Sequence, residues 1–158
     1  MFQASEEVAK SINSVASLKR QMKTGRAVPF RDGICYECHA VPKLGRWLRE
    51  GQERMGILTS SKWHNSIFEP VYIGDKLVPK WDERFRGVGY DKQHQAYEMC
   101  RAGYTFHVLT GVFMVHAGMK QAGHFINEKN RHLFMVRMKE LDVIYGSDSN
   151  GTKCFYDY

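Results

Sequence analysis

The sequence has no run of eighteen apolar residues, and its first thirty residues lack the basic, apolar and small-residue series of a signal peptide. We therefore expect no membrane segment and no targeting signal in this chain. It also lacks a block of like charges. The formal net charge is +6, from 23 Lys and Arg against 17 Asp and Glu, and these residues are scattered along the chain. Nucleic-acid-binding arms concentrate their basic residues, so we expect no nucleic-acid partner. Nothing in the sequence predicts the oligomeric state.

Cysteine is scarce, and four residues in 158 are too few for a disulfide scaffold. Two of them, Cys35 and Cys38, precede His39, and the three match the literal pattern of a c-type haem attachment site. The pattern lies between Pro29 and Pro42, with no following helix to hold a haem. A local disulfide or two reduced thiols is the simpler interpretation, and a structural zinc site would need a remote ligand besides His39.

Apolar residues recur at both helical and strand spacing, which indicates an α/β protein with a mixed sheet and flanking helices. Helices are predicted at residues 5–24, 91–101 and about 127–145, with one or two helical turns at 44–49. Strands are predicted at residues 67–73, 77–78, 104–109 and 112–115, and an irregular segment at 27–41. We expect one domain over residues 1–146 and a flexible tail over 147–158, in which Asn150 begins an N-glycosylation sequon.

No phosphate-binding glycine loop and no nucleophile triad is present, but glycines and carboxylates come together between residues 81 and 92. Gly87 and Gly89 allow the backbone to turn tightly and to approach a ligand, and Asp91 begins the next predicted helix. With Asp82 and Glu83 just upstream, this stretch is a candidate for sugar binding and for a general base. The alternative is a plain turn in which Asp91 only caps the helix.

His116 follows the apolar residues 112–115, where we expect a buried strand to open into a loop. Strand ends often display metal ligands, and histidine is a frequent ligand of transition metals. The alternative is a structural histidine, because no local Asp or Glu has an obvious ligand spacing to it.

A longer series of residues resembles one known family. The series is Val28-Pro29-Phe30, Gly33-Ile34-Cys35 with Cys38, Arg46-Trp47, Phe68-Glu69-Pro70-Val71-Tyr72, Val78-Pro79, Asp82-Glu83-Arg84-Phe85, Gly89, Glu98, Gly103-Tyr104, Phe106, Val108-Leu109, Phe113, Val115-His116 and Gly118. In order and with few gaps, it resembles the glycosyltransferase family that contains the beta-1,4-glucuronyltransferase of O-mannosyl glycan synthesis and the second catalytic domain of LARGE. The resemblance runs from about residue 14 to residue 145.

The resemblance implies the carboxy-terminal, acceptor-side portion of a GT-A type fold. It also implies an inverting transfer of glucuronic acid from UDP-glucuronic acid to a xylose-ended O-mannosyl-type glycan, in the lumen of the Golgi or secretory pathway. The implied cofactor is Mn²⁺, which offsets charge on the leaving diphosphate, and the implied partners are a UDP-sugar and a glycan acceptor.

The resemblance also assigns roles to particular residues. His116 matches the third metal ligand, which acts beside an Asp-x-Asp pair, and Asp91 is the base candidate. Asp82 and Glu83 are candidates for acceptor or structural contacts, together with Gly87 and Gly89 as substrate-binding positions. The sequence contains no Asp-x-Asp motif, so we expect an incomplete metal site in a chain that begins downstream of it. Two alternatives are an inactive glycan- or partner-binding remnant and a haem protein built on the cysteine pair.

Overall fold

The computed structural model describes residues 1–50, 54–61, 67–120, 127–147 and 154. They fall into two compact units, one of residues 1–61 with 107–122 and one of residues 62–106 with 123–158. Helices and short strands are both present and one sheet is mixed, so the predicted α/β class is confirmed. Within the described ranges no helix is long and apolar enough to cross a membrane.

Ten helices and strands, all short except the last helix, form the described part of the chain. In chain order they are β1 (Phe2–Ala4), α1 (Glu6–Ser11), α2 (Val15–Lys23), β2 (Ala27–Pro29), α3 (Leu44–Glu50), β3 (Gly56–Ser61), α4 (Asp91–Arg101), β4 (Phe106–Thr110), β5 (Val115–Ala117) and α5 (Glu128–Tyr145). A single 3₁₀ turn, Glu37–His39, lies between β2 and α3.

The first unit is built around β1, a strand that the sequence patterns did not predict. β2 pairs with β1 in antiparallel fashion and β5 pairs with it in parallel fashion on the other side. In this register Gln3 lies opposite both Val28 and His116. The segment predicted to be irregular from residue 27 therefore begins as an edge strand.

The single helix predicted near the amino terminus is two helices, α1 and α2. Ser5 caps α1 through its side chain, and Ser14 forms a capping box with Ser17 at the start of α2. These serine oxygens satisfy backbone N–H groups inside the periodic stretch, so a second helix starts there. Both helices keep the predicted apolar face, and Val15 and Leu18 of α2 are fully buried.

The core of the first unit brings the sheet together with α2 and α3. Its buried members are Phe2, Ala4, Val15, Leu18, Ala27 and Trp47. The Trp47 indole N–H donates to the Leu109 carbonyl at 2.8 Å, so α3 is also fixed to β4. A buried tryptophan needs such a partner for its one polar atom.

In the second unit, the two predicted helices α4 and α5 are confirmed. Gly103 follows α4 with a left-handed φ of +87°, and the Asn127 side chain caps α5 by accepting from Lys129 N at 3.1 Å. Buried residues of both helices form the core of the unit together with two residues from outside them, Phe68 and Cys154. The helical members are Ala96, Tyr97, Met99, Cys100, Phe134, Met138 and Leu141.

The strands predicted at residues 67–73 and 77–78 are wrong, because the described residues there form turns and irregular backbone. Two prolines, Pro70 and Pro79, remove backbone N–H donors from the stretch. Ile73 is 86% exposed, so the apolar residues of this stretch do not all face a core as a buried strand would require. Asp75 instead closes a turn by accepting from Leu77 N at 2.8 Å.

The strands predicted at 104–109 and 112–115 exist, but each begins two or three residues later, as β4 and β5. Gly111 lies between them with φ of +68°. They do not form a hairpin, since β4 pairs with β3 and β5 pairs with β1.

All four cysteines are paired, as Cys35–Cys38 and Cys100–Cys154. The second pair has a sequence separation of 54 against 3 for the first, so it removes more conformational entropy from the unfolded chain. Cys154 is buried, although it falls in the predicted flexible tail. Asn150 and most of that tail lie outside the described residues, so the tail and the sequon stay predictions.

Candidate functional site

His116 lies in the first unit, in the middle of β5 rather than at the end of a strand as predicted. Its Nδ1 is 3.0 Å from the Gly118 carbonyl oxygen. A carbonyl only accepts, so Nδ1 carries the proton, and in the neutral form of the ring Nε2 has the lone pair. A metal-binding histidine is commonly oriented in this way, with the second nitrogen bonded to a backbone carbonyl.

The ring of Phe30 contacts both His116 and His39, and we call these three residues the aromatic cluster. The ring centroids of Phe30 and His116 are 5.3 Å apart, and those of Phe30 and His39 are 4.9 Å apart in an edge-on arrangement. No sequence pattern predicts these contacts, because His116 lies 86 positions beyond Phe30. Only the pairing of β1 with β2 and β5 brings them together.

Manganese requires more ligands than His116 alone. Among the described residues there is no group of three His, Cys, Asp or Glu side chains that could hold a metal ion. His116 fits as one ligand, through Nε2, but the described residues do not complete a site. The predicted incompleteness of the metal site therefore stays a prediction for the whole protein.

The cysteine pair does not fit an attached haem. Haem attachment needs two free thiols, whereas Cys35 and Cys38 are bonded to each other. His39, the third residue of the pattern, is buried against Phe30 in the aromatic cluster. The disulfide interpretation agrees with this geometry.

The glycine-flanked loop of the second unit is held by a buried asparagine. Asn130, only 2% exposed, accepts from Arg86 N at 3.2 Å and donates to the carbonyls of Arg86 at 3.0 Å and Gly89 at 2.9 Å. Gly87 and Gly89 have left-handed φ angles of +73° and +111°, as their predicted turn requires. Tyr90 has φ of +65°, a strained conformation that is frequent at functional sites.

Asp91 is the first residue of α4, and Tyr90 occupies the cap position without a side-chain hydrogen bond. The interpretation of Asp91 as a helix cap is therefore wrong. Its half-buried carboxylate lies at the positive end of the helix dipole. Within the described part of the chain it makes no hydrogen bond or ion pair, so it is available to a ligand.

His116 and Asp91 belong to different compact units. Both residues were predicted to serve the same reaction. Their meeting in one cleft stays a prediction.

The other predicted carboxylates lie in a different environment from Asp91. Asp82 is bound by two guanidinium groups, at 2.8 Å from Arg84 Nη2 and 2.8 Å from Arg137 Nε. These ion pairs, led by the hydrogen bonds to Arg84, lower the pKa of Asp82 to about 2. This geometry favours the structural role that was predicted for Asp82 as an alternative to acceptor contact. Glu83 is exposed.

Arg137 is the centre of a charge network that the sequence analysis missed. Besides Asp82 it binds Glu140 through Nη1, and its Nη2 is 3.7 Å from Glu98. Arg84 also binds Glu140, at 2.8 Å, so two arginines and two carboxylates alternate in a closed ring. Spacings of three and four on α5 and α4 were the only available signal.

Burial controls the protonation of this network. His94 is 1% exposed, and desolvation, helped by the nearby Arg137 cation, lowers its pKa to about 4. It is therefore neutral at pH 7, and its 3.7 Å approach to Glu98 is not an ion pair there. Burial also raises the pKa of Glu98.

Acid should destabilise the protein through His94. Between its folded pKa of about 4 and its usual value of 6.5, the unfolded chain binds the proton and the folded chain does not. This stability is present above pH 6.5 and is lost as the pH falls toward 4, by about 2 kcal/mol between pH 7 and pH 5. Glu98 acts in the opposite direction, because its pKa is raised. Asp82 and Glu140, with pKa values of about 2, titrate at lower pH.

The contribution of His94 is isolated by comparing urea unfolding of the wild type and His94→Gln at the two pH values. We expect the wild type to lose about 2 kcal/mol more than the variant. His132→Gln is the matched control, because His132 is exposed on α5. Equal losses in the wild type and His94→Gln would show that His94 is not buried in its neutral form.

Comparison with known families now assigns the chain. Residues 1–146 match a family described as "Glycosyl-transferase for dystroglycan". The chain belongs to this family. The predicted resemblance is confirmed.

Curated relatives carry glycosyltransferase names. The chain is 34% identical to "Beta-1,4-glucuronyltransferase 1" of Danio rerio over 146 residues, which are 87% of this chain and 34% of that protein. It is 34% identical to the Mus musculus protein of the same name over 129 residues, 78% of this chain and 31% of that protein. "Glycosyltransferase-like protein gnt15" of Dictyostelium discoideum is 31% identical over 88 residues, 55% of this chain and 16% of that protein.

The chain spans about a third of the length of these glucuronyltransferases. No solved structure matches it.

Proposed function

We propose that this chain forms the acceptor-side part of a GT-A type, inverting and metal-dependent glucuronyltransferase. It would transfer glucuronic acid from UDP-glucuronic acid to a xylose-ended O-mannosyl-type glycan in the lumen of the Golgi or secretory pathway. Two relatives with glucuronyltransferase names support the donor sugar, and two disulfides are typical of an oxidising compartment.

The observation that carries the proposal is the loop that ends at Asp91. Asn130 fixes its backbone from Arg86 to Gly89, and Tyr90 keeps a strained conformation at the start of α4. The loop therefore presents, on a rigid support, a carboxylate that has no partner among the described residues, as a positioned general base requires.

In the proposed reaction, Asp91 accepts the proton of the acceptor hydroxyl as that oxygen attacks the anomeric carbon of the donor. The new bond joins the acceptor oxygen to the anomeric carbon, and the bond from that carbon to the diphosphate breaks and releases UDP. His116, with its lone pair on Nε2, is the proposed metal ligand in this chain. Bound manganese would offset the negative charge that develops on the diphosphate.

A second candidate is a glycan-binding module without transfer activity. Two observations favour it. The sequence contains no Asp-x-Asp motif, and the described residues contain no group of three possible metal ligands. Binding of acceptor without product would identify this second function.

Because the proposed enzyme also needs its donor-side part, transfer is measured with the whole purified enzyme that contains this chain, Mn²⁺, UDP-glucuronic acid and a para-nitrophenyl β-xyloside, with the product detected by mass. We expect an acceptor that gains one glucuronic acid, with UDP-glucose as the neutral-donor control. Acceptor binding without product would leave only the glycan-binding function. Neither product nor acceptor binding would refute both.

A further inference from the structure

Arg31 follows Phe30 of the aromatic cluster and is held in an unfavourable backbone conformation. Its φ is +56°, in the left-handed region that an arginine rarely adopts. Such a residue persists only where its surroundings impose the conformation, and residues of this kind concentrate at binding and catalytic sites. The conformation therefore makes Arg31 a candidate binding residue.

The side chain of Arg31 contains a buried hydrogen-bond donor for which the described residues provide no acceptor. Its Nε is buried, and no residue in the described ranges accepts a hydrogen bond from it. In the same part of the chain no carboxylate pairs with its guanidinium. A buried donor without a partner is rare, because it lowers the stability of a folded protein. A bound ligand would supply the missing acceptor.

The position of Arg31 connects it to His116. The guanidinium carbon lies 6.0 Å from the centroid of the Phe30 ring, and the His116 ring contacts the same phenyl ring. Phe30 is buried, so it fixes both neighbours. The Arg31 cation and the His116 imidazole therefore both contact the Phe30 ring within the first unit.

We propose that Arg31 binds an oxyanion of the sugar-nucleotide donor. Guanidinium is a planar, permanently charged fork that matches carboxylate and phosphate oxygens. Two oxyanions of the donor have this chemistry, the diphosphate and the carboxylate of the uronic acid. The inference rests on the proposed function, because it takes the donor to be UDP-glucuronic acid.

The Nε–H signal of Arg31 in ¹⁵N-edited NMR of the full chain tests the site directly. Inorganic pyrophosphate and free glucuronate are titrated separately, with glucose as the neutral control. We expect a saturable shift of the Arg31 signal with one of the two anions, and that anion identifies the donor group. No saturable shift with either anion would overturn the proposal, even if the chain transfers glucuronic acid.

A pair of variants tests the contribution to donor binding. Arg31→Met keeps a non-glycine residue at this φ and an unbranched stem against Phe30, and it should weaken UDP-glucuronic acid binding about tenfold or more. The matched control is Arg26→Met, which removes an exposed charge from the same unit and should leave affinity unchanged. Equal affinities in all three proteins would refute the role of Arg31.

The two proposals fail in distinguishable ways. If the wild type binds pyrophosphate or glucuronate at Arg31 but binds no UDP-sugar, the oxyanion site stands and the proposed function fails. If transfer occurs and the Arg31 signal does not respond to either anion, the function stands and the site fails. Arg31→Lys keeps the charge and loses the Nε–H, so its affinity for UDP-glucuronic acid should lie between those of the wild type and Arg31→Met. It is the variant to use if Arg31→Met folds poorly.

Discussion

Arg137→Met should lower the free energy of unfolding by about 3–5 kcal/mol. The Arg137 side chain is 13% exposed and provides positive charge to Asp82, Glu98 and Glu140. Methionine fills a similar volume but leaves these carboxylates with less compensation, and a buried charge that loses its partner is strongly destabilising. Arg84 still binds Asp82 and Glu140, so we expect the lower part of this range.

Urea unfolding followed by circular dichroism measures this effect. Lys139→Met, two positions further along α5, removes an exposed cation and should change the unfolding free energy by less than about 0.5 kcal/mol. Adding Asp82→Asn to Arg137→Met should restore part of the loss, because it removes one of the carboxylates that have lost the Arg137 cation. If Arg137→Met behaves like Lys139→Met, the network is not a buried stabilising element.

The sequence predicted well those elements whose signals are local. α4 was predicted as a polar helical run that Gly103 ends, and α5 from apolar residues at helical spacing that begin near Asn127. The structure retains both of these ends. Ser14, which caps the start of α2, was a local signal for dividing the amino-terminal helix. The apolar residues continue at helical spacing across this position, so a single helix was predicted. Prolines and exposure explain why residues 67–78 do not form the predicted strands.

The rest depends on contacts between distant parts of the chain. β1 has only three residues, and its pairing with β2 and β5 cannot be inferred from so short a pattern. Cys100 finds Cys154 across a sequence separation of 54, which no spacing rule predicts. In the candidate site, the sequence named His116 and Asp91, but it did not reveal Phe30, Arg31 or Asn130. These residues act through packing and hydrogen bonds that form only in the folded chain.

Asp91 carries the central claim, because a proton acceptor is what separates a transferase from a sugar-binding module. Asp91→Asn keeps the size of the side chain at the start of α4 and removes its basicity. A general base contributes about 10²- to 10⁴-fold to a rate, so the loss should be of that size. Because the base acts in the transition state, we expect the fall in kcat with little change in the KM for acceptor.

The most direct measurement is therefore the rate of glucuronic acid transfer to the β-xyloside by the wild type, Asp91→Asn and Asp75→Asn. Asp75→Asn is the matched control, since Asp75 is exposed in the same unit and its side-chain oxygen accepts a backbone hydrogen bond that asparagine can keep. The account predicts a wild-type rate in Asp75→Asn and a fall of about 100-fold or more in Asp91→Asn, with both variants folded. Equal rates in Asp91→Asn and the wild type, or no transfer by the wild type, would contradict it.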